Sequence, residues 1–177
     1  MAIEIERKFL PASDAWRGSV RDSSHLLQGY VANTVRCSVR VRIAGGSAWL
    51  SLKSMEAGTT RHEFEYPVPC DDAGQILAGL CEGPLIEKIR HRVPAGRHCY
   101  EVDEFLGENA GLVIAEIELG AADEEFDRPA WLGTEVTEEP RYYSFMLARA
   151  PFSGWPGAAR EAARTGRHVA RLHPEAR

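Results

Sequence analysis

The stretch V-R-C-S-V-R-V-R-I-A-G-G-S-A-W-L-S-L-K-S at residues 35–54 decides how this chain is read. Val35, Val39, Val41 and Ile43 alternate with Arg36, Arg40 and Arg42, and Gly45-Gly46 ends the run. Leu50 and Leu52 then alternate with Trp49, Ser51 and Lys53. Period two places successive side chains on opposite faces of a strand. A Gly-Gly pair between two such runs marks a hairpin. The segment therefore reads as two antiparallel strands with one apolar face and one face that gathers positive charge.

Working outward, the same period predicts strands near 2–10, 25–33, 61–68, 85–93, 98–106 and 112–120, beside 35–44 and 47–54. Pro94-Ala95-Gly96 and the segment from Gly107 to Gly111 punctuate the later strands. Apolar spacing predicts a helix over 71–80 between the fifth and sixth strands, a short helix over 11–17, and a helix over 138–149. Residues 1–150 read as one domain, and 151–177 as a basic, Ala/Arg/Gly-rich C-terminal tail. The expectation for the tail is a mobile or loosely docked segment in which 158–172 can form a basic helix.

The 177 residues carry a net charge of −5, which argues against a general binder of nucleic acid or membrane surfaces. No apolar run approaches the roughly 20 residues of a membrane span. The start M-A-I-E-I-E-R-K has no apolar export core, so a cytoplasmic location is expected. Cys37, Cys70, Cys81 and Cys99 form no C-x-x-C pair and read as buried free thiols. Phosphate-binding glycine loops, the G-x-S-x-G elbow and H-E-x-x-H are absent, and the six histidines form no ligand-like cluster.

The charges are ordered along the strands. Glu4, Glu6 and Lys8 share a face of the first strand; Arg36, Arg40 and Arg42 of the third; Lys53 sits on the fourth. Glu63 and Glu65 follow on the fifth, Lys88, Arg90 and Arg92 on the sixth, Glu101 and Asp103 on the seventh, and Glu116 and Glu118 on the eighth. A single antiparallel strand with one wet face shows the same alternation. Segregation by sign is harder to reconcile with a wet face, because like charges two residues apart repel unless something compensates them. A barrel of about eight strands with the charged faces inward confronts acidic strands with basic ones. Its apolar faces then point outward, where helices can cover them. Arginine and lysine suit a chain of phosphates, and clustered carboxylates suit a hard cation, Mg²⁺ or Mn²⁺. All three lysines of the chain lie on these faces.

These residues also carry a family resemblance. E-I-E-R-K at 4–8 matches the E-x-E-x-K motif of the CYTH domain, the triphosphate tunnel metalloenzymes. R-V-R at 40–42, Lys53, E-F-E at 63–65, K-I-R at 88–90, E-V-D at 101–103, E-I-E at 116–118 and E-V-T-E-E-P-R-Y-Y at 135–143 follow in order, so the resemblance runs from about residue 3 to 150. It implies a mainly β fold: an eight-stranded antiparallel closed barrel, helices outside, and a C-terminal plug helix. It implies a metal-dependent triphosphatase acting on a small-molecule triphosphate. Glu4, Glu6, Asp103, Glu116 and Glu118 are then the expected metal ligands, and Lys8, Arg40, Arg42, Lys53, Lys88 and Arg90 the phosphate grip. Glu4, Glu6 and Lys8 carry the chemistry, with Arg36, Glu63, Glu65 and Glu101 in support. Inorganic tripolyphosphate is the leading substrate. A class IV-type adenylyl cyclase and a thiamine triphosphatase use the same clamp, so both stay open, as does a homodimer. A non-catalytic polyphosphate or nucleotide binder would tolerate loss of the acids, which here are intact.

Overall fold

The computed structural model describes residues 3–55 and 60–168. Nine strands follow in order: β1 (Ile3–Pro11), β2 (Asp22–Asn33), β3 (Cys37–Ala44), β4 (Ser47–Ser54), β5 (Thr60–Val68), β6 (Ile86–Ala95), β7 (His98–Phe105), β8 (Val113–Glu118) and β9 (Leu132–Glu135). Three α-helices accompany them: α1 (Cys70–Gly79), α2 (Ser144–Arg149) and α3 (Gly157–Arg164). The strands pair antiparallel in the order β5-β4-β3-β2-β6-β7-β8-β1-β9, and β5 also pairs with β1, which closes an eight-stranded barrel. β1 makes that closure by dividing itself. Ile3, Glu4 and Ile5 pair with His62, Arg61 and Thr60, whereas Glu6 to Phe9 pair with β8.

The outward faces are apolar and covered where helices and loops reach them. α1 lays Ala73 and Leu77 against Val41 and Ala48. Trp16, on a 3-10 turn at Asp14–Ser19 where a short helix was expected, packs with Val93, Tyr100 and Ile117. The inward faces are graded along the barrel. Continuing the charged ladders of β1, β6, β7 and β8 by two residues brings Leu10, Ile86, Phe105 and Ile114 into one cluster with Tyr142, Leu147 and Ala148. One part of the interior is thus ionic and the adjoining part is a packed apolar core, closed by α2.

The helix expected over 138–149 is interrupted. Pro140 opens a 3-10 turn, Tyr143 is extended, and α2 starts only at Ser144. The break sends Tyr142 into the apolar core and Tyr143 to the charged interior. The segment from 151 to 168 is docked, unlike the loose tail expected. Phe152 and Ala163 join the apolar cluster, and α3 ends at Arg164, short of the expected basic helix, whose residues 169–172 lie outside the described residues. Thr134 N–H donates to Gly166 O at 2.9 Å. Gly133 permits this approach, since a Cβ there would stand 2.5 Å from Leu10 O and 2.7 Å from Gly166 O. Both are backbone atoms that cannot move aside. A Gly133→Ala variant should lose about 1–3 kcal/mol in urea unfolding; unchanged stability would show that the tail is only loosely attached.

The four cysteines are free, but Cys70 is exposed and the others only partly buried. His25, His91 and His98 each sit in a pair with a glutamate outside the barrel's charged interior. Among the described residues no helix is long and apolar enough to cross a membrane.

Candidate active site

The ionic part of the barrel encloses a cavity of about 830 Å³. Cross-strand register decides which charges meet there. β1 sets Lys8 opposite Glu116 and Glu6 opposite Glu118. β4 sets Lys53 opposite Glu63, and β6 sets Arg90 opposite Asp103 and Arg92 opposite Glu101. Lys8 is in contact with Glu116 and lies 2.9 Å from Glu6. Lys53 contacts Glu4 and lies 3.6 Å from Glu63. Arg40 spans Glu63 at 3.2 Å and Glu65 at 3.3 Å, and Arg42 reaches Glu65 at 3.1 Å. Ser51 Oγ donates to Glu65 Oε1 at 2.6 Å. Arg90 contacts Glu101 and donates to Glu116 at 2.8 Å.

The wall is evenly balanced: eight basic and eight acidic side chains line the cavity, the basic set being Lys8, Arg40, Arg42, Lys53, Arg61, Lys88, Arg90 and Arg92. A cavity of no net charge does not by itself attract a bare polyanion. It suits an anion that arrives with cations, since bases that turn to the anion leave carboxylates for the cations to occupy.

The carboxylates differ sharply in proton affinity. Burial pushes the Glu4 carboxyl up to about 7; nearby Glu6 and Glu63 add to the effect, and Lys53 only partly opposes it. Burial acts in the same direction on Glu6, but Lys8 and Lys53 outweigh it and hold that carboxyl at about 2. Glu116 is likewise desolvated, yet Lys8, Lys88 and Arg90 keep it well below the usual range. Glu118 is raised by burial and by Glu101, Glu63 and Glu6. Burial lowers Lys88 despite the neighbouring Asp103. Two carboxylates two residues apart, Glu4 and Glu6, thus have their proton affinities driven in opposite directions.

Of the residues singled out in the sequence, Glu4, Glu6, Lys8, Arg40, Arg42, Lys53, Glu63, Glu65, Lys88, Arg90, Glu101, Glu116 and Glu118 all line this cavity. Two do not. Arg36 has the right parity but precedes β3 in an exposed bend, where its carbonyl accepts from Met55 N–H. Asp103 faces inward but is wholly buried, with Oδ1 accepting from Arg90 Nε at 2.7 Å and Oδ2 from Arg90 Nη2 at 2.7 Å and from Lys88. With no solvent exposure and both oxygens accepting from Lys88 and Arg90, Asp103 braces those two side chains beneath the cavity. Arg61, Arg92, Tyr30, Ser51 and Tyr143, which are outside the expected site residues, also line the cavity. Arg61 was detectable, since it shares the face of Glu63 and Glu65.

Among the described residues no three acidic, histidine or cysteine side chains converge on one point. The acidic side chains expected to hold a cation, Glu4, Glu6, Glu116 and Glu118, nonetheless all line one cavity and offer carboxylate oxygen alone. That set fits Mg²⁺ or Mn²⁺, hard cations of which Mg²⁺ commonly takes one or two carboxylates and completes its shell with phosphate and water.

A family model described as the CYTH domain matches residues 2–149. The inorganic triphosphatase of Acetivibrio thermocellus is 42% identical over 155 residues, covering 88% of this chain and 99% of that protein. The inorganic triphosphatase of Nitrosomonas europaea is 35% identical over 150 residues, covering 82% and 96%. The solved structure of the inorganic triphosphatase NE1496 superposes with a TM-score of 0.61 at 31% identity, covering 89% of this chain and 99% of that one. The PH1012 protein of Pyrococcus horikoshii, at 16% identity and a TM-score of 0.56 over 68% and 80% of the two chains, shares the fold.

Proposed function

The chain belongs to the CYTH domain family, and from that membership we propose that it hydrolyses inorganic triphosphate to diphosphate and phosphate with Mg²⁺ or Mn²⁺. The observation that carries this reading is the balanced cavity, in which eight basic and eight acidic side chains line one space and pair with one another. Both sequence relatives named above are inorganic triphosphatases and align over nearly their whole length.

The residues divide the work by charge and position. Arg40, Arg42, Lys53, Lys88 and Arg90 present hydrogen-bond donors from three adjoining or facing strands, enough to hold non-bridging oxygens of successive phosphates. Arginine forks fix orientation, while Lys53 and Lys88 act as compact point charges. Lys8 stands between Glu6 and Glu116 and keeps both ionised. Glu4, Glu6, Glu116 and Glu118 would hold the cation, which when bound offsets phosphate charge and acidifies a water in its shell. Because the grip is built into strands, its donors need no reorganisation as charge shifts to the leaving diphosphate in an in-line displacement.

The test is to incubate the protein with tripolyphosphate, ATP or thiamine triphosphate and either cation, measuring phosphate, diphosphate and cyclic AMP. Phosphate and diphosphate from tripolyphosphate in preference to the others support the reading. Cyclic AMP from ATP would replace it with a cyclase.

A pH dependence follows from Glu4. A cation needs its carboxylate ionised, and a group titrating at about 7 is mostly protonated at pH 6 and mostly ionised at pH 8. Calorimetric titration of the protein with Mn²⁺ should give an affinity about tenfold weaker at pH 6 than at pH 8. A flat profile would remove Glu4 from the ligand set.

A further inference from the structure

Two cations of the cavity, Arg61 and Arg92, have none of the foregoing roles; Arg92 is largely exposed beside Asp22 and Glu101, whereas Arg61 is buried. It lies on β5 at the barrel's closure, opposite Glu4, and is 8% exposed. Its situation differs from that of Lys8, Lys53, Arg40 and Arg90. Each of those has a carboxylate within hydrogen-bond distance, whereas the nearest carboxylate to Arg61 among the described residues is Glu6, at 3.8 Å. What Arg61 does touch is the ring of Tyr143, with the guanidinium carbon 4.5 Å from the ring centroid.

That ring is fixed. Tyr143 OH donates to Thr137 O at 2.6 Å, and Thr137 Oγ1 accepts from Lys8 N–H at 3.0 Å, so the tyrosine is tied to β1. Lys8 Nζ stands 6.0 Å from the same centroid. One tyrosine thus spaces two cations, Arg61 and Lys8, on the wall of the cavity. Stacking engages the flat face of a guanidinium and leaves the N–H groups at its edge free to donate. A largely buried guanidinium whose nearest carboxylate stands 3.8 Å away is only partly compensated. An anion in the cavity offsets that cost, and the neighbouring lysines and arginines are positioned for an anion with several phosphates.

We propose that Arg61 is a further substrate-binding residue, a phosphate donor held in its orientation by Tyr143, and that Tyr143 is its positioning residue. This rests on the triphosphatase reading and extends the grip to the β1–β5 closure and the segment before α2.

Steady-state kinetics on Arg61→Gln and Arg61→Lys test it, using whichever triphosphate the unmodified protein cleaves. Loss of charge-assisted hydrogen bonds should raise KM about tenfold to a hundredfold in Arg61→Gln, with kcat within about threefold. Arg61→Lys should recover only part of that, since a point charge cannot reproduce the stacked fork. Tyr143→Leu, which removes the ring but keeps an apolar side chain, should raise KM in the same direction and less. Melting temperatures near that of the unmodified protein show that each variant is folded. An unmodified protein that cleaves tripolyphosphate, with Arg61→Gln retaining its KM, overturns this inference and leaves the triphosphatase reading standing. An unmodified protein that cleaves only a different triphosphate ends the reading of the substrate, and the KM ratio on that substrate still decides the role of Arg61.

Discussion

A Glu4→Gln variant is expected to lose turnover of tripolyphosphate by about a thousandfold or more while still binding it. The substitution keeps the size of the side chain and removes its charge. Glu4 lies in the cavity beside Glu6 and Glu63, and burial together with those neighbours already raises its proton affinity. It is therefore the carboxylate whose negative charge the cavity tolerates least and whose ionised form gains most from a cation. Removing it takes away a ligand whose contribution to transition-state charge is worth several kcal/mol, and each 1.36 kcal/mol is tenfold in rate. Binding should persist for a separate reason. Lys53, now in contact with Glu4, is released by the change and becomes more available to phosphate. Phosphate release and calorimetric titration with tripolyphosphate measure the two quantities independently. Near-normal turnover would falsify the assignment of Glu4.

The second large effect concerns Asp103. Asp103→Ala removes the acceptor of three hydrogen bonds, two from Arg90 and one from Lys88, at a position with no solvent exposure. Glu116 and Glu101 still reach Arg90, but Lys88 loses its contact partner in surroundings that already disfavour its charge. Breaking a buried pair from one side costs about 3–5 kcal/mol. For a chain of this size that is a fall of about 10 °C in Tm, together with a large loss of activity because two members of the phosphate grip lose their anchor. A cation-ligand role predicts something different: Mn²⁺ affinity lost and Tm retained. Thermal melting and Mn²⁺ titration of the same variant separate the two.

The strand ladders were legible because period two is a local property. Glu4, Glu6 and Lys8 announce a shared face without knowledge of what that face meets. The sign of each ladder made inward closure the economical arrangement, and the barrel has it. What periodicity does not encode is depth. Asp103 and Glu101 have the same parity, yet one is buried beneath the bases and the other lines the cavity. Arg36 and Arg40 share parity too, but the chain bends before β3 and turns Arg36 out. β9 has four residues, too few for alternation to stand out from its surroundings. The docking of the tail depends on Gly133 and Gly166 meeting across 32 intervening positions, and no local pattern records that contact. Arg61 has the parity of Glu63 and Glu65, but a lone base on an acidic strand carries no local signal of the ring it stacks on.

The closure of the barrel has a consequence for its motion. β6 and β7 are laced together from Lys88 to Ala95, whereas among the described residues β1 and β5 meet through Ile3, Glu4 and Ile5 before β1 crosses to β8. A cylinder joined so briefly along one line has a slit that can breathe while the remaining wall stays intact. Backbone amides along that slit should exchange with solvent sooner than those of β6 and β7. Glu4 and Arg61 face each other across it, so transient parting there would widen the cavity at the two residues assigned to cation and phosphate, and a bulky hydrated ion pair could be admitted without unfolding anything else.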